Sequence, residues 1–413
     1  MNITKKIIQQ RVFIAAAVVV AFMIMSFLGN SDDNSKEPQN ELKYEGTYGL
    51  YVEKTDHYNF RWITQLEDVG LYEVLNQSKK IIATGETALS KTHRIDLKPG
   101  IEGPLTFRFG GKNQGMHEIN IRESFEQEKT SYKKVDSLYV VGDIHGRYDQ
   151  VTNLLIKANI IDKEMNWIAG RAHIVFLGDV FDRGDDVTKV LWFIHGLEEQ
   201  AALAGGKVHL VLGNHEIMTM TKDLRYVSRK ERNIAVAHGL SYDALFHPID
   251  SYLGSWLRSK VSLLKIDKIV FAHGGILDIG PISLEEFNNK AYYFMQEPMY
   301  LDMMKDSPDS TKYDPNHWFD MRYFFYYSQG PYWYRGYVQS DTLGPQLNSM
   351  LDKHGSKIHV VAHTTLETIT EKYDGKLLTT DLNDAATQLL FLVRHRNKYE
   401  RYKIDSEGLK TEL

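Results

Sequence analysis

Apolar and polar positions follow three different patterns along the chain. The first is an apolar run, Val12 to Leu28, broken only by Ser26, preceded by Lys5, Lys6 and Arg11 and followed at once by a polar, acidic stretch ending at Pro38. The run is at the short limit for a membrane-spanning helix. Its flanking charges direct the N-terminus to the cytoplasm and the body of the chain to the other side. A cleaved signal peptide has the same layout, but Phe27-Leu28-Gly29-Asn30 offers only Gly29 near a cleavage point. The expectation is therefore an uncleaved signal-anchor over residues 1–29, a linker over 30–43 and an extracytoplasmic, periplasmic catalytic body. Secretion after cleavage is the alternative.

The second pattern, over residues 44–126, is short and alternating. Thr47 to Val52, Tyr58 to Ile63, Gly70 to Leu75 and Leu105 to Phe109 have strand composition, and Gly, Asn and Asp separate them. This predicts a small all-β domain, a sandwich resembling fibronectin type III domains, serving as a spacer between membrane and enzyme.

The third pattern fills residues 132–413. Leu138 to Val141, Ile174 to Leu177, Val208 to Leu212, Ile269 to Ala272 and Ile358 to Ala362 are short continuous apolar runs, the signature of strands buried on both faces in an α/β core. Helical spacing lies between them, over Tyr148 to Ala158 and Val187 to Leu203.

Each of these five runs leads into a residue that can bind a metal: Asp143 and His145, then Asp179, Asn214, His273 and His363. A lone Asp or His at a strand end is commonly a turn residue. Five in succession are hard to explain as packing, because functional crevices of α/β sheets lie outside the carboxyl ends of their strands. The chain has no cysteine among its 413 residues, which removes thiolate metal sites and thiol catalysis and leaves carboxylate, amide oxygen and imidazole as ligands. Such a set suits two divalent ions, with Mn, Fe and Zn all admissible. Asp179 can bridge them, with Asp143, His145 and His363 on one side and Asn214 and His273 on the other. A pair of ions about 3.5–4 Å apart activates water and neutralises a transferring phosphoryl group. A formal charge of -5 supplies no basic field for nucleic acid.

Gly-Asp-Ile-His-Gly (142–146), Gly-Asp-Val-Phe-Asp-Arg-Gly (178–184), Gly-Asn-His-Glu (213–216) and His-Gly-Gly (273–275) resemble, in that order, the signature of the phosphoprotein phosphatases within the calcineurin-like metallophosphoesterases. Gly-Asn-His-Glu-Ile-Met, the downstream Asp223-Leu-Arg-Tyr226, and Tyr332 to Tyr337 look most like the Shewanella-like branch. The resemblance runs from about Ser137 to Asp381. It implies a β-sandwich core flanked by helices in αββα layers and in-line attack by a metal-bridging hydroxide. It also implies roles for single residues. Arg183 and Arg335 would bind phosphate oxygens together with Asn214, His215 would protonate the leaving oxygen, and Asp182 would orient His215. The residue types agree, since a phosphoryl group needs planar bidentate donors and an alkoxide needs a proton donor of histidine's range.

Departures from that signature narrow the substrate. Many relatives that act on phosphodiesters end in Gly-His-x-His, whereas here Ala362-His363-Thr364-Thr365 has no second histidine. Monoester hydrolysis is therefore expected, on a phosphorylated protein or a small phosphomonoester. The Ser-Ala-Pro-Asn-Tyr segment of eukaryotic Ser/Thr phosphatases is absent. A nucleotide or phosphodiester hydrolase, and a catalytically silent membrane-anchored scaffold, are the alternatives. The aromatic-rich stretch Tyr292 to Tyr337 is expected to be largely core, with Trp333 and Tyr334 considered as a roof over the site. His238-Gly239 mimics His273-Gly274 but follows a basic segment rather than an apolar run. It is read, with His173, His195, His209, His247, His317, His354 and His359, as non-functional.

Overall fold

A computed structural model describes residues 47–305, 307–396 and 398–413. The apolar run Val12 to Leu28 and the linker lie outside the described residues, among which no helix is long and apolar enough to cross a membrane.

The first region is one five-stranded antiparallel sheet made of β1 (Thr47–Lys54), β2 (Tyr58–Leu75), β3 (Ile81–Asp96), β4 (Leu105–Gly111) and β5 (Gly115–Ile121). Two segments expected to be separate strands are the two halves of β2, which is bulged between Ile63 and Asp68. β3 follows one edge of β2 throughout, while β1 takes the first half of the other edge and β4 the second. The bulge bends the strand, so the sheet folds over on itself. Phe60 stacks on Phe107 with ring centroids 4.1 Å apart, and Trp62 meets the edge of Phe107 at 5.8 Å. A single folded sheet therefore stands where a fibronectin III-like pair of sheets was expected. One continuous strand supplies both layers, and no sequence break marks that. This sheet packs on the rest of the chain, with which it forms one compact unit. Trp192 Nε1 donates to the Leu50 carbonyl at 2.9 Å, and the Arg122 N–H donates to the Tyr252 hydroxyl at 2.8 Å.

The remaining strands form two six-stranded sheets. One carries β7 (Ser137–Val141), β8 (His173–Phe176) and β9 (Lys207–Leu210) as parallel neighbours, extended by the antiparallel β15 (Gln388–His395), β16 (Lys398–Asp405) and β17 (Lys410–Glu412). The other runs β13 (Thr370–Lys372), β14 (Leu377–Thr379), β12 (Ile358–Val361), β11 (Ile269–Ala272), β10 (Leu263–Ile266) and β6 (Ser131–Tyr132), with β11 and β12 parallel. Leu138, Val140, Val175 and Leu177 from the first sheet share a buried core with Leu264, Ile269, Phe271 and Val360 from the second. The opposite faces are covered by helices. Leu154, Leu155, Leu191 and Ile194 pack with Ile174 and Phe176, and Phe287, Ala291, Leu347 and Leu351 belong to the same buried cluster as Val270 and Val361. This is the expected mixed α/β sandwich. Its consequence for function is topological: β7, β8, β9, β11 and β12 all present their carboxyl ends at one rim, and each of the five predicted ligand segments begins there.

Candidate active site

The chain leaves those strand ends through backbone that side chains rarely tolerate. His145, Asp179, Asp182, Arg183 and His363 have φ of 48°, 51°, 70°, 65° and 63°. Each left-handed non-glycine residue costs of order 1–3 kcal/mol and persists only where its surroundings over-determine it. Gly178 (φ 88°) cannot be replaced without a collision, since a Cβ there would lie 2.6 Å from the Gly213 nitrogen and 2.8 Å from His273 Nδ1.

The turn at Asp179 is fixed by Glu216, which the sequence shows only as the last residue of the Gly-Asn-His-Glu segment. Its Oε2 accepts the N–H of Asp179 at 2.9 Å and of Gly213 at 2.6 Å, and its Oε1 accepts the N–H of Val180 at 2.8 Å. One fully buried carboxylate thus ties the second motif to the third. The legible signal was its place three residues into a helix that starts after Gly213, where a glutamate reaches back to the cap. Asp381 was also missed. It is buried, its Oδ2 accepts from Thr365 Oγ1 at 3.1 Å, and after burial it is the strongest neighbour raising the Asp143 carboxyl. Nothing local in Thr380-Asp381-Leu382 announces it.

Predicted ligands converge on Asp179. His145 and His273 each donate Nδ1–H to a carbonyl, of Phe181 and Leu177 respectively, both at 2.8 Å. Those bonds fix each ring with Nε2 turned inward. His273 Nε2 lies 3.1 Å from Asp179 Oδ2, 3.0 Å from Asn214 Oδ1 and 3.2 Å from His363 Nδ1. His145 Nε2 lies 3.7 Å from Asp143 Oδ2. Two triads, His145–Asp179–His215 and Asp179–His273–His363, each gather their potential ligand atoms within 4.8 Å, and they share Asp179.

A divalent cation fits this set. Every donor is a carboxylate, amide oxygen or imidazole, and all are buried. The electrostatics ask for positive charge. Burial and the neighbouring carboxylates Asp381 and Asp179 push Asp143 well up. Burial opposes ionisation of Asp179, but His273 and His215 outweigh it and hold that carboxyl well below its usual range. Burial would lower His273, but Asp179 and Asp143 outweigh it and raise the imidazole to about 10.

His215 departs from the ligand pattern. Its Nδ1–H donates to Asp182 Oδ2 at 2.5 Å, and its Nε2 stands 3.8 Å from Asp179 Oδ2. Burial would depress it, but Asp179 and Asp182 outweigh burial and raise its pKa. Arg335 reaches the site from a different element. Its Nη1 donates to the His363 carbonyl, and its Nη2 lies 3.4 Å from His363 Nδ1. Arg183 is exposed at the mouth, its N–H donating to the Tyr226 carbonyl at 2.9 Å.

The aromatic stretch is mostly core. Trp318, Phe325, Tyr332 and Tyr337 are buried. Half-buried Trp333 donates Nε1–H to the Phe325 carbonyl at 2.8 Å and meets His363 edge-on, centroids 6.1 Å apart. Tyr334 packs against Tyr337 instead. The excluded histidines lie elsewhere. His238 donates to the Gly49 carbonyl and anchors the N-terminal sheet, and His359 Nδ1 donates to the Val270 carbonyl at 3.1 Å.

Comparison with known proteins agrees with this geometry. The family profile described as calcineurin-like phosphoesterase matches residues 137–367. A Shewanella-like protein phosphatase 1 from Plasmodium berghei (strain Anka) is 26% identical over 273 residues, covering 65% of this chain and 71% of that protein. Among solved structures, a cold-active protein-tyrosine phosphatase of a psychrophilic Shewanella species superposes with a TM-score of 0.68 at 26% identity, covering 89% of this chain and 99% of the other.

Proposed function

The chain belongs to the calcineurin-like phosphoesterase family and is a metallophosphoesterase; from that premise we propose that it hydrolyses phosphomonoesters, acting as a protein phosphatase with preference for aryl phosphates such as phosphotyrosine. The observation that carries the reading is the pairing of His215 with Asp182 at 2.5 Å beside the shared carboxylate Asp179. Metal-dependent hydrolysis of a phosphomonoester uses that combination of a cation-binding centre and a proton donor for the leaving oxygen.

Asp143, His145, Asp179, Asn214, His273 and His363 are the proposed ligands of two divalent cations. When bound, the cations supply an activated water and neutralise charge on the phosphoryl group. The protein does the rest. Carbonyls of Phe181 and Leu177 hold Nδ1 of His145 and His273, so that Nε2 of each ring is the nitrogen turned toward the cation site. Arg183 and Arg335 bind the equatorial phosphate oxygens from the open side. His215 Nε2 carries the proton that goes to the leaving oxygen, and Asp182 holds the opposite nitrogen so that Nε2 faces substrate. The absence of a second histidine after His363 supports a monoester over a diester, and the name of the solved relative, a protein-tyrosine phosphatase, supports an aryl leaving group.

The N-terminal apolar run supports a membrane-anchored enzyme with its catalytic body outside the cytoplasm. A substrate panel of phosphotyrosine and phosphoserine peptides, nucleotides and diesters, assayed with Mn²⁺, tests the central reading. Monoesters turned over well ahead of diesters are expected. Diesters favoured over every monoester would overturn it.

A further inference from the structure

The face on which the leaving group departs is set by His215, because the leaving oxygen must reach its Nε2. One ring flanks that imidazole from the solvent side. Tyr226 lies with its ring centroid 5.5 Å from that of His215, at an interplanar angle of 51°, and it is 49% exposed. The other ring against His215 is that of His145, which is buried. A half-exposed aromatic ring thus stands directly beside the proton donor.

The loop that carries Tyr226 is held firmly. Thr221 Oγ1 lies 2.6 Å from the Tyr326 hydroxyl, and the Asp223 N–H donates to the Met218 carbonyl at 2.8 Å. The buried Asp223 carboxylate accepts two bonds from Arg225, Nε at 2.8 Å and Nη2 at 2.7 Å. The Arg225 guanidinium in turn lies 5.6 Å from the Tyr226 ring centroid, a distance at which a cation is attracted to an aromatic face. The Tyr226 carbonyl also accepts the N–H of Arg183, so one residue joins the phosphate-binding arginine to the leaving-group side. Trp333 is poorly placed for the same task. It approaches His363, on the cation side, and its ring nitrogen is engaged.

We propose that Tyr226 is a specificity-determining residue, a preordered platform on which the ring of an aryl phosphate stacks while His215 protonates its oxygen. The proposal rests on the phosphatase reading above. It adds the residue that selects an aromatic over an aliphatic leaving group. A flexible alkyl group offers no π face and gains little there, whereas an aryl–aryl contact is worth a several-fold difference in binding.

The test uses the full chain with Mn²⁺, phenyl phosphate and glycerol 2-phosphate as the substrate pair, and inorganic phosphate as a competitive inhibitor. Tyr226→Ala should reduce the ratio of kcat/KM for phenyl phosphate to that for glycerol 2-phosphate by roughly three- to tenfold. Tyr226→Phe should keep the ratio, and the inhibition constant for phosphate should move less than twofold in either variant. An unchanged ratio in Tyr226→Ala, or a loss accompanied by equally weakened phosphate inhibition, would overturn the platform role alone. A wild-type chain inert to both substrates would instead overturn the phosphatase reading on which it rests.

Discussion

Asp182 Oδ2 and His215 Nδ1 lie 2.5 Å apart, and both residues are buried beside Asp179. Asp182 holds that contact with a left-handed backbone at φ 70°. The pair is therefore built for its geometry, and its worth can be read from leaving-group dependence. His215→Asn should reduce kcat for alkyl phosphates by about 10²–10³-fold, in the range of general acid catalysis. It should cost p-nitrophenyl phosphate, whose leaving oxygen needs little protonation, about tenfold or less. Equal losses on both substrates would argue against proton donation.

The same pair fixes a pH dependence. Burial would lower the His215 pKa, and the carboxylates of Asp179 and Asp182 outweigh it. The acid is the protonated form, present below the raised pKa and lost as pH rises through it. In the metal-free chain the His215 imidazole, followed by NMR, should therefore titrate above an ordinary histidine. Asp182→Asn removes one of the raising charges, so that titration should move to lower pH. A midpoint that stays in place in the variant would separate Asp182 from the titration.

Glu216 predicts a stability effect with a functional echo. Glu216→Ala would leave the N–H groups of Asp179, Val180 and Gly213 buried without acceptors, at about 1–3 kcal/mol each. A loss of roughly 3 kcal/mol or more in a denaturant melt is expected, with metal affinity reduced because the strained turn at Asp179 is no longer held. A variant with wild-type stability and metal content would show that the turn is fixed by other means.

The N-terminal sheet is packed on the enzyme body, so truncations should differ sharply. Removing residues 1–43 should leave a folded, active enzyme. Removing residues 1–126 would expose Tyr252 and Trp192 and strip His238 of its carbonyl partner. That product should aggregate or melt well below the longer one in thermal unfolding. Comparable melting temperatures would make the sheet a mere spacer.

Much of this was legible in the chain. The buried parallel strands stand out as short apolar runs such as Ile174 to Leu177 because both faces are covered. A ligand-type residue at each run's end, as with Asn214 after Val208 to Leu212, locates the rim. The N-terminal sheet was harder. β3 is polar and largely exposed along most of its length, so its composition does not distinguish a strand from a loop. The fold-over of β2 depends on long-range pairing with β4 that no local pattern encodes. Glu216 and Asp381 act through buried backbone and electrostatic relations that appear only once 178–181, 213–216 and 365–381 meet in space. The aromatic stretch is largely core, as expected, but it drew attention away from the aromatic ring beside His215. Composition alone could not separate the buried Trp318 and Tyr332 from the exposed Tyr226, which lies outside that stretch and alone among these three faces solvent beside His215.

Asp179 is the one carboxylate shared by both potential ligand groups, so replacing it tests the phosphoesterase centre as a whole. Asp179→Asn, assayed with p-nitrophenyl phosphate and Mn²⁺ and analysed for bound metal, should lose turnover by at least about 10³-fold and bind less metal than the wild-type chain, with folding intact by circular dichroism. Turnover and metal content at wild-type levels in that variant would show that the centre is not built on Asp179.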